Sequence, residues 1–235
     1  QKGEACHTLV MSATPIPRTL SLIIYGELDI SIIDQLPPGR QPVLTYAIST
    51  DKLQRAYGFI RRHLEEGLQA YIVCPMIEEK EGASSVQLRA AASYVQQLQE
   101  GPFAGFRLGL VHSRQKPKEK EQAMEDFLSG KTQLLVTTTV VEVGVDVPNA
   151  VIMMIEYAER FGLSQLHQLR GRVGRGSRQS YCILVSDHPG EGAQRRLKMM
   201  CRTNNGFEIA EEDLRLRGPG DFLGHRQHGL PQMKI

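Results

Sequence analysis

Gln168-Leu-Arg-Gly-Arg-Val-Gly-Arg175 is the stretch on which the reading of this chain turns. Written as a helix from Ser164 to Arg175, it puts Gln168, Arg172 and Arg175 on one stripe, at i, i+4 and i+7. Leu166, Leu169 and Val173 fall on another, so one face would pack while the other presents two guanidiniums. Gly171 and Gly174 each weaken such a helix by roughly 1 kcal/mol relative to alanine. Two such costs beside two arginines imply that something comes close to this backbone. A polyphosphate suits the position, because guanidinium is a fixed fork of donors that keeps its charge. A lone Gly-Arg-x-Gly-Arg is more often a solvated basic helix with incidental glycines. The choice therefore rests on the rest of the chain.

Working outward, apolar runs rich in Val, Ile and Leu occur at Val43–Ile48, Ala70–Cys74, Phe106–Val111, Gln133–Thr137, Ala150–Ile155 and Ser180–Val185. Helical patterns fill Asp51–Glu66, Ser84–Glu100 and Pro117–Leu128, and the arginine-bearing stretch lies between the last two strands. Strands alternating with helices predict βαβ crossovers and an α/β fold: a mostly parallel sheet with helices on both faces. Continuous apolar strands fit burial on both faces. Val140–Pro148 alternates valines like a strand but follows one directly, so a short helical turn and loop is the expectation there.

Downstream, Gly190–Arg202 and Phe207–Arg217 read as two helices joined by the turn signal Thr203-Asn-Asn-Gly206. A glycine-rich basic loop follows, Arg217-Gly-Pro-Gly-Asp-Phe-Leu-Gly-His-Arg-Gln227. Upstream, Thr8–Ala13 is strand-like and runs into Ser12-Ala-Thr-Pro-Ile-Pro-Arg18. A small-hydroxyl tripeptide at the end of a strand is placed to sense a ligand. The seven residues ahead of that strand leave no room for the rest of a domain, so the chain is expected to begin mid-fold. Leu36-Pro-Pro-Gly-Arg40 reads as a connector. Residues 1–42 thus read as the end of one domain plus a connector, 43–188 as a second domain, and 189–235 as a helical hairpin and loop.

Bulk properties restrict the function classes without choosing among them. With 41% hydrophobic and 23% charged residues the 235-residue chain is composed like a globular protein. No apolar run approaches membrane-spanning length and no signal peptide opens the sequence, so a cytoplasmic location is expected, with no membrane partner. Cys6, Cys74, Cys182 and Cys201 are scattered and include no CxxC pair. Free thiols are expected, and no metal site. Net charge is only +2, yet residues 170–235 hold 12 of the 28 Lys and Arg against 7 of the 26 Asp and Glu. The basic excess begins at the arginine-bearing stretch, a local signal for phosphate.

Ser12-Ala-Thr14 after a strand, Thr138-Thr139 followed by Glu142, Gly144 and Asp146, and Gln168-x-x-Gly-Arg-x-Gly-Arg175 stand in the order of superfamily 2 helicase motifs. Together with the hairpin and loop, the chain resembles the RecG family of that superfamily over essentially its whole length. The resemblance implies a RecA-like second motor domain working on branched double-stranded DNA in recombination and repair. It implies that Arg172 and Arg175 are arginine fingers on the phosphates of ATP, with Gln168, Gly144 and Asp146 lining the same site. Ser12, Ala13 and Thr14 would couple phosphate state to domain closure. His112, Thr138 and Thr139 would meet DNA, and Arg196, Arg217, Arg226 and Gln227 would belong to the translocating hairpin and loop.

Two positions depart from the family pattern, Ser113 where a glycine is usual and His225 where a threonine is usual. The phosphate-binding loop and the Asp-Glu-x-His box are missing. The resemblance therefore implies a C-terminal portion, inactive in ATP hydrolysis alone. Its magnesium would be held mainly by an upstream motor domain, and a wedge domain would also lie upstream. The corresponding domain of the transcription-repair coupling factor Mfd is the near alternative, and a duplex-binding module without hydrolysis is the distant one. His112 and His167 also read as hydrogen-bonded structural histidines. Lys116–Glu121 reads as a solvated helix start, and Met153, Met154, Met199 and Met200 as core.

Overall fold

A computed structural model describes residues 31, 33, 39–74, 84–112, 114–138 and 146–217, with the backbone alone at 84–89 and 217. Its strands are β1 (Leu44–Ile48), β2 (Gln69–Val73), β3 (Leu108–Val111), β4 (Leu134–Thr137), β5 (Ala150–Ile155) and β6 (Tyr181–Val185). All pair in parallel, in the order β1-β6-β5-β2-β4-β3. The helices are α1 (Leu53–Glu65), α2 (Ser84–Glu100), α3 (Pro117–Leu128), α4 (Leu163–Arg170), α5 (Glu191–Arg202) and α6 (Gly206–Arg217), with 3-10 turns at Thr50–Lys52 and Ala158–Arg160.

Side chains alternate across a strand, so each central strand feeds two cores. Ala70, Ile72, Leu134, Val136, Ile152 and Met154 face α1 and α2, meeting Tyr57, Ile60, Leu64 and Leu98. Tyr71, Val73, Leu135, Met153 and Ile155 face the other way, meeting Met124 and Phe127 of α3, Leu163, Leu166 and Leu169 of α4, and Leu197 and Met200 of α5. Both central methionines are buried core residues, and β2, β4 and β5 are buried from end to end. The continuous apolar runs in the sequence have this cause.

The arginine-bearing helix is shorter than its sequence pattern predicts. It ends at Arg170, Gly171 is its cap, and Arg172 and Val173 follow in a tight turn whose amides reach the carbonyls of Leu169 and Arg170. Gly174 then takes a left-handed conformation at φ 77°. Arg172 and Arg175 therefore do not share a helical stripe with Gln168. Of Val140–Pro148, only Asp146, Val147 and Pro148 are described, in irregular backbone ahead of β5, and the Thr8–Ala13 strand lies outside the described residues. Cys74, Cys182 and Cys201 are free. Among the described residues no helix is long and apolar enough to cross a membrane.

Candidate functional site at the two edges of the sheet

Because every strand is parallel, the sheet has one edge made of strand starts and another made of strand ends. The candidate residues sort between them. At the starting edge, Asp146 precedes β5, and the turn after α4 brings Arg172 and Arg175 back toward the start of β6. Arg175 donates from Nε to the Gly171 carbonyl at 3.1 Å and lies with Nη1 3.7 Å from Asp146 Oδ1. Tyr71, beneath them on β2, has its phenol pushed up to about 12 by burial, a shift the Arg172 and Arg175 guanidiniums oppose. The structure thus brings Asp146, Arg172 and Arg175 together, although by a turn rather than a helix.

Close approach explains Gly174 and its neighbour Gly176, but not Gly171, where a Cβ would meet the Gln168 and His167 carbonyls at an ordinary 3.4 and 3.5 Å. A Cβ on Gly174 would sit 2.7 Å from Val43 Cγ2, and one on Gly176 would sit 2.7 Å from the Pro148 carbonyl oxygen. At Gly174 the left-handed backbone adds about 1–2 kcal/mol against any L side chain. Arg40 Nε donates to the Gly174 carbonyl at 2.6 Å, tying the start of the domain to the arginine turn. At Gly174 the close neighbour is Val43 of the same chain rather than a ligand.

The ending edge carries the residues expected to meet DNA. His112 follows β3 and Thr138 follows β4, and the Thr138 amide donates to the Val111 carbonyl at 3.2 Å. Gln115 shapes the turn at His112: its carbonyl takes the His112 amide at 3.1 Å and its amide reaches the Leu110 carbonyl at 2.9 Å. Desolvation, with Lys120 and Arg114 nearby, lowers the His112 pKa. Ser12, Ala13, Thr14, Ser113, Thr139, Gly144, His225, Arg226 and Gln227 lie outside the described residues, as does the side chain of Arg217.

Two clusters are built on residues that no motif specifies. Glu156, 7% exposed just past β5, accepts from Tyr94 of α2 and from Tyr57 of α1 at 3.3 Å. Burial raises its pKa and raises both phenols, and Cys74, at the end of β2, is pushed up to about 12 by burial and by Glu156. Strands β2 and β5 are neighbours whose outgoing connections run in opposite directions, which makes this the topological switch point. The second cluster is Arg170, 3% exposed. Its Nη1 donates at 2.8 Å to the carbonyls of both Met200 and Thr203, at the end of α5. Nη2 meets His167 Nδ1 at 3.1 Å, and since guanidinium only donates, the imidazole must accept there and carry its proton on Nε2. Burial first and Arg170 second lower the His167 pKa to about 4, in keeping with a structural histidine. Arg170 fills an unspecified position within the motif Gln168-x-x-Gly-Arg-x-Gly-Arg175 and gives no periodic signal of its own, so only burial distinguishes it.

Arg196, expected to belong to the translocating machinery, is turned inward. Nε donates to the Phe161 carbonyl at 3.2 Å and Nη2 to the Glu159 carbonyl at 2.8 Å. It fastens α5 to the loop after β5, beside a cleft of about 290 Å³ lined by Arg160, Phe161, Gly162, Asp213 and Leu216. Ser164 Oγ donates to Asp213 at 2.8 Å and joins α4 to α6.

Comparison with known proteins identifies the fold and the family. Residues 51–177 match the helicase conserved C-terminal domain, and residues 203–235 match the C-terminal part of domain 3 of the ATP-dependent DNA helicase RecG. The chain is 53% identical to the RecG helicase of Synechocystis over its full length, covering 28% of that relative. It is 48% identical to RecG of Bacillus subtilis, again over its full length, covering 34% of it. The chain thus spans about a third of the length of its relatives. The structure of RecG bound to a three-way DNA junction superimposes with a TM-score of 0.80 at 46% identity, over 99% of this chain and 30% of that one. Domain 2 of the DEAD-box helicase Mss116p, bound to an RNA duplex, shares the fold at a TM-score of 0.53 and 16% identity, over 74% of this chain and 68% of that one.

Proposed function

The chain belongs to the family of helicase conserved C-terminal domains, in its RecG branch, and on that premise we propose that it is the second motor domain of an ATP-driven translocase acting on branched double-stranded DNA. The observation that carries this reading is the meeting of Asp146, Arg172 and Arg175 at the edge of the sheet opposite to His112 and Thr138. In this reading, nucleotide chemistry and DNA contact take opposite edges of one sheet. Strands of four to six residues separate those edges by roughly 13–20 Å.

In this reading ATP is the substrate, and hydrolysis frees the energy for movement. Arg172 and Arg175 would neutralise charge that develops on the phosphates, and the turn that displays them is held from behind by Arg40 and by the close packing at Gly174 and Gly176. The Asp146–Arg175 contact, part-exposed and 3.7 Å long, is weak enough for a phosphate to replace it. Gln168 and Gly144 belong to the same site, and Ser12, Ala13 and Thr14 to its coupling with closure. Among the described residues no three His, Cys, Asp or Glu side chains gather to hold a metal ion. In this reading the magnesium that accompanies ATP takes its protein ligands mainly from the upstream motor domain.

The test is ATP turnover with and without a three-way DNA junction, in this chain alone and in the full-length protein. The expected result is no turnover alone and junction-stimulated turnover in the full-length protein. Turnover by the isolated chain, or none by the full-length protein with junction DNA, would overturn the reading.

A further inference from the structure

The loop after β5 holds a feature that no motif covers. Two non-glycine residues among those described have left-handed backbones, Tyr157 at φ 50° and His188 at φ 49°. Both stand just past the ends of neighbouring strands, β5 and β6, on the same edge as His112 and Thr138. A bulky aromatic residue adopts this conformation at a cost, and such costs concentrate where a site needs a side chain held in place. Packing does not demand the ring, because Tyr157 is 51% exposed. Its ring is instead covered by the Arg160 guanidinium, 5.4 Å from the centroid.

We propose that Tyr157 and Arg160 form a contact for the sugar–phosphate backbone of duplex DNA, extending the row that begins at His112 and Thr138 toward the helical hairpin. The inference rests on the motor reading above. Sheet order sets the geometry: from β3 through β4 and β2 to β5 is three strand spacings, roughly 14 Å along one edge. A guanidinium lying on a ring keeps outward donors for a phosphate, and the ring offers a flat apolar surface to a deoxyribose. The loop is braced for the task, since Arg196 holds the carbonyls on either side of Arg160, those of Glu159 and Phe161. The acidic groups alongside are Glu156, Glu159 and Asp213. Glu156 is buried under two tyrosine hydroxyls, where burial favours its neutral form. Glu159 has a carboxylate oxygen buried within the protein, and Asp213 accepts from Ser164.

The experiment is fluorescence anisotropy of the full-length protein on a labelled duplex over a range of salt, with Arg160→Gln and Tyr157→Asn beside the wild type. Arg160→Gln is expected to flatten the slope of log affinity against log salt by about 0.9, the loss of one phosphate contact. Tyr157→Asn is expected to weaken binding roughly two- to fivefold, the worth of the ring's hold on the Arg160 guanidinium. Its thermal midpoint should rise, because asparagine tolerates the left-handed backbone that tyrosine resists. Wild-type slope and affinity in both variants would overturn the proposal, and so would a loss of binding by Tyr157→Asn accompanied by a lower midpoint, which marks a packing role. A wild-type protein that neither binds duplex nor hydrolyses ATP with it would instead remove the motor reading beneath.

Discussion

His167 shows how a single residue reports on the seam between two parts of this domain. It accepts from Arg170 only while its imidazole is neutral, and burial beside that guanidinium keeps it neutral down to about pH 4. In the unfolded chain the same ring takes up a proton near pH 6.5. Between those values the unfolded state binds more protons, so this residue's contribution is present above pH 6.5 and is lost as the pH falls through the folded pKa. Glu156 works in the opposite sense, since its raised pKa favours the native state at low pH and less as the pH rises. Thermal melts at pH 7 and pH 5 should therefore show a larger drop for the wild type than for His167→Gln, which keeps an acceptor and has nothing to titrate. Equal drops would mean that His167 is protonated in the folded state. The sequence suggested a structural role for this histidine, but the partner that enforces it is a burial effect visible only in three dimensions.

At the scale of elements, strand positions were legible because a strand buried on both faces needs an unbroken apolar run, and few other elements do. The arginine-bearing helix was misjudged for an equally physical reason. Leu166, Leu169 and Val173 keep helical spacing past the point where the backbone turns, because all three point into the same core. The backbone turns at Gly171, and Gly174 and Gly176 then fit where a Cβ would strike Val43 and Pro148, neighbours distant in sequence. The hairpin was readable from its turn residues, whereas its attachment was not. Arg170 makes that attachment, holding the last carbonyls of α5, and Thr203, at the joint between the two hairpin helices, is one of them. Arg170→Met should leave those carbonyls without their charged donor and cost about 2–3 kcal/mol, with amide protection lost first in α5 and α6. Lysine offers one point of donors where this site uses a fork, so Arg170→Lys should recover only part of the loss. Uniform protection in both variants would show that the hairpin is held by its apolar contacts alone.

For the whole molecule, the proposed motor uses two edges of one sheet: guanidiniums would meet phosphate at the strand starts, and polar and aromatic side chains would meet DNA at the strand ends. The motifs made Arg172, Arg175, His112 and Thr138 visible in the sequence, whereas Tyr157 and Arg160 belong to no motif. The parallel topology assigns the two groups to opposite edges, and Arg170 and Arg196 brace the hairpin against the turn and loop that carry them. If that division is right, removing one guanidinium from the starting edge should stop hydrolysis without loosening DNA. The most direct measurement is therefore Arg175→Ala in the full-length protein, with junction-stimulated ATP turnover and junction affinity determined on the same preparation. Turnover should fall on the order of a thousandfold, while the dissociation constant for DNA stays at the wild-type value. Undiminished turnover, or a loss of DNA affinity that accounts for the fall, would contradict the account and make the arginine turn a DNA-binding surface.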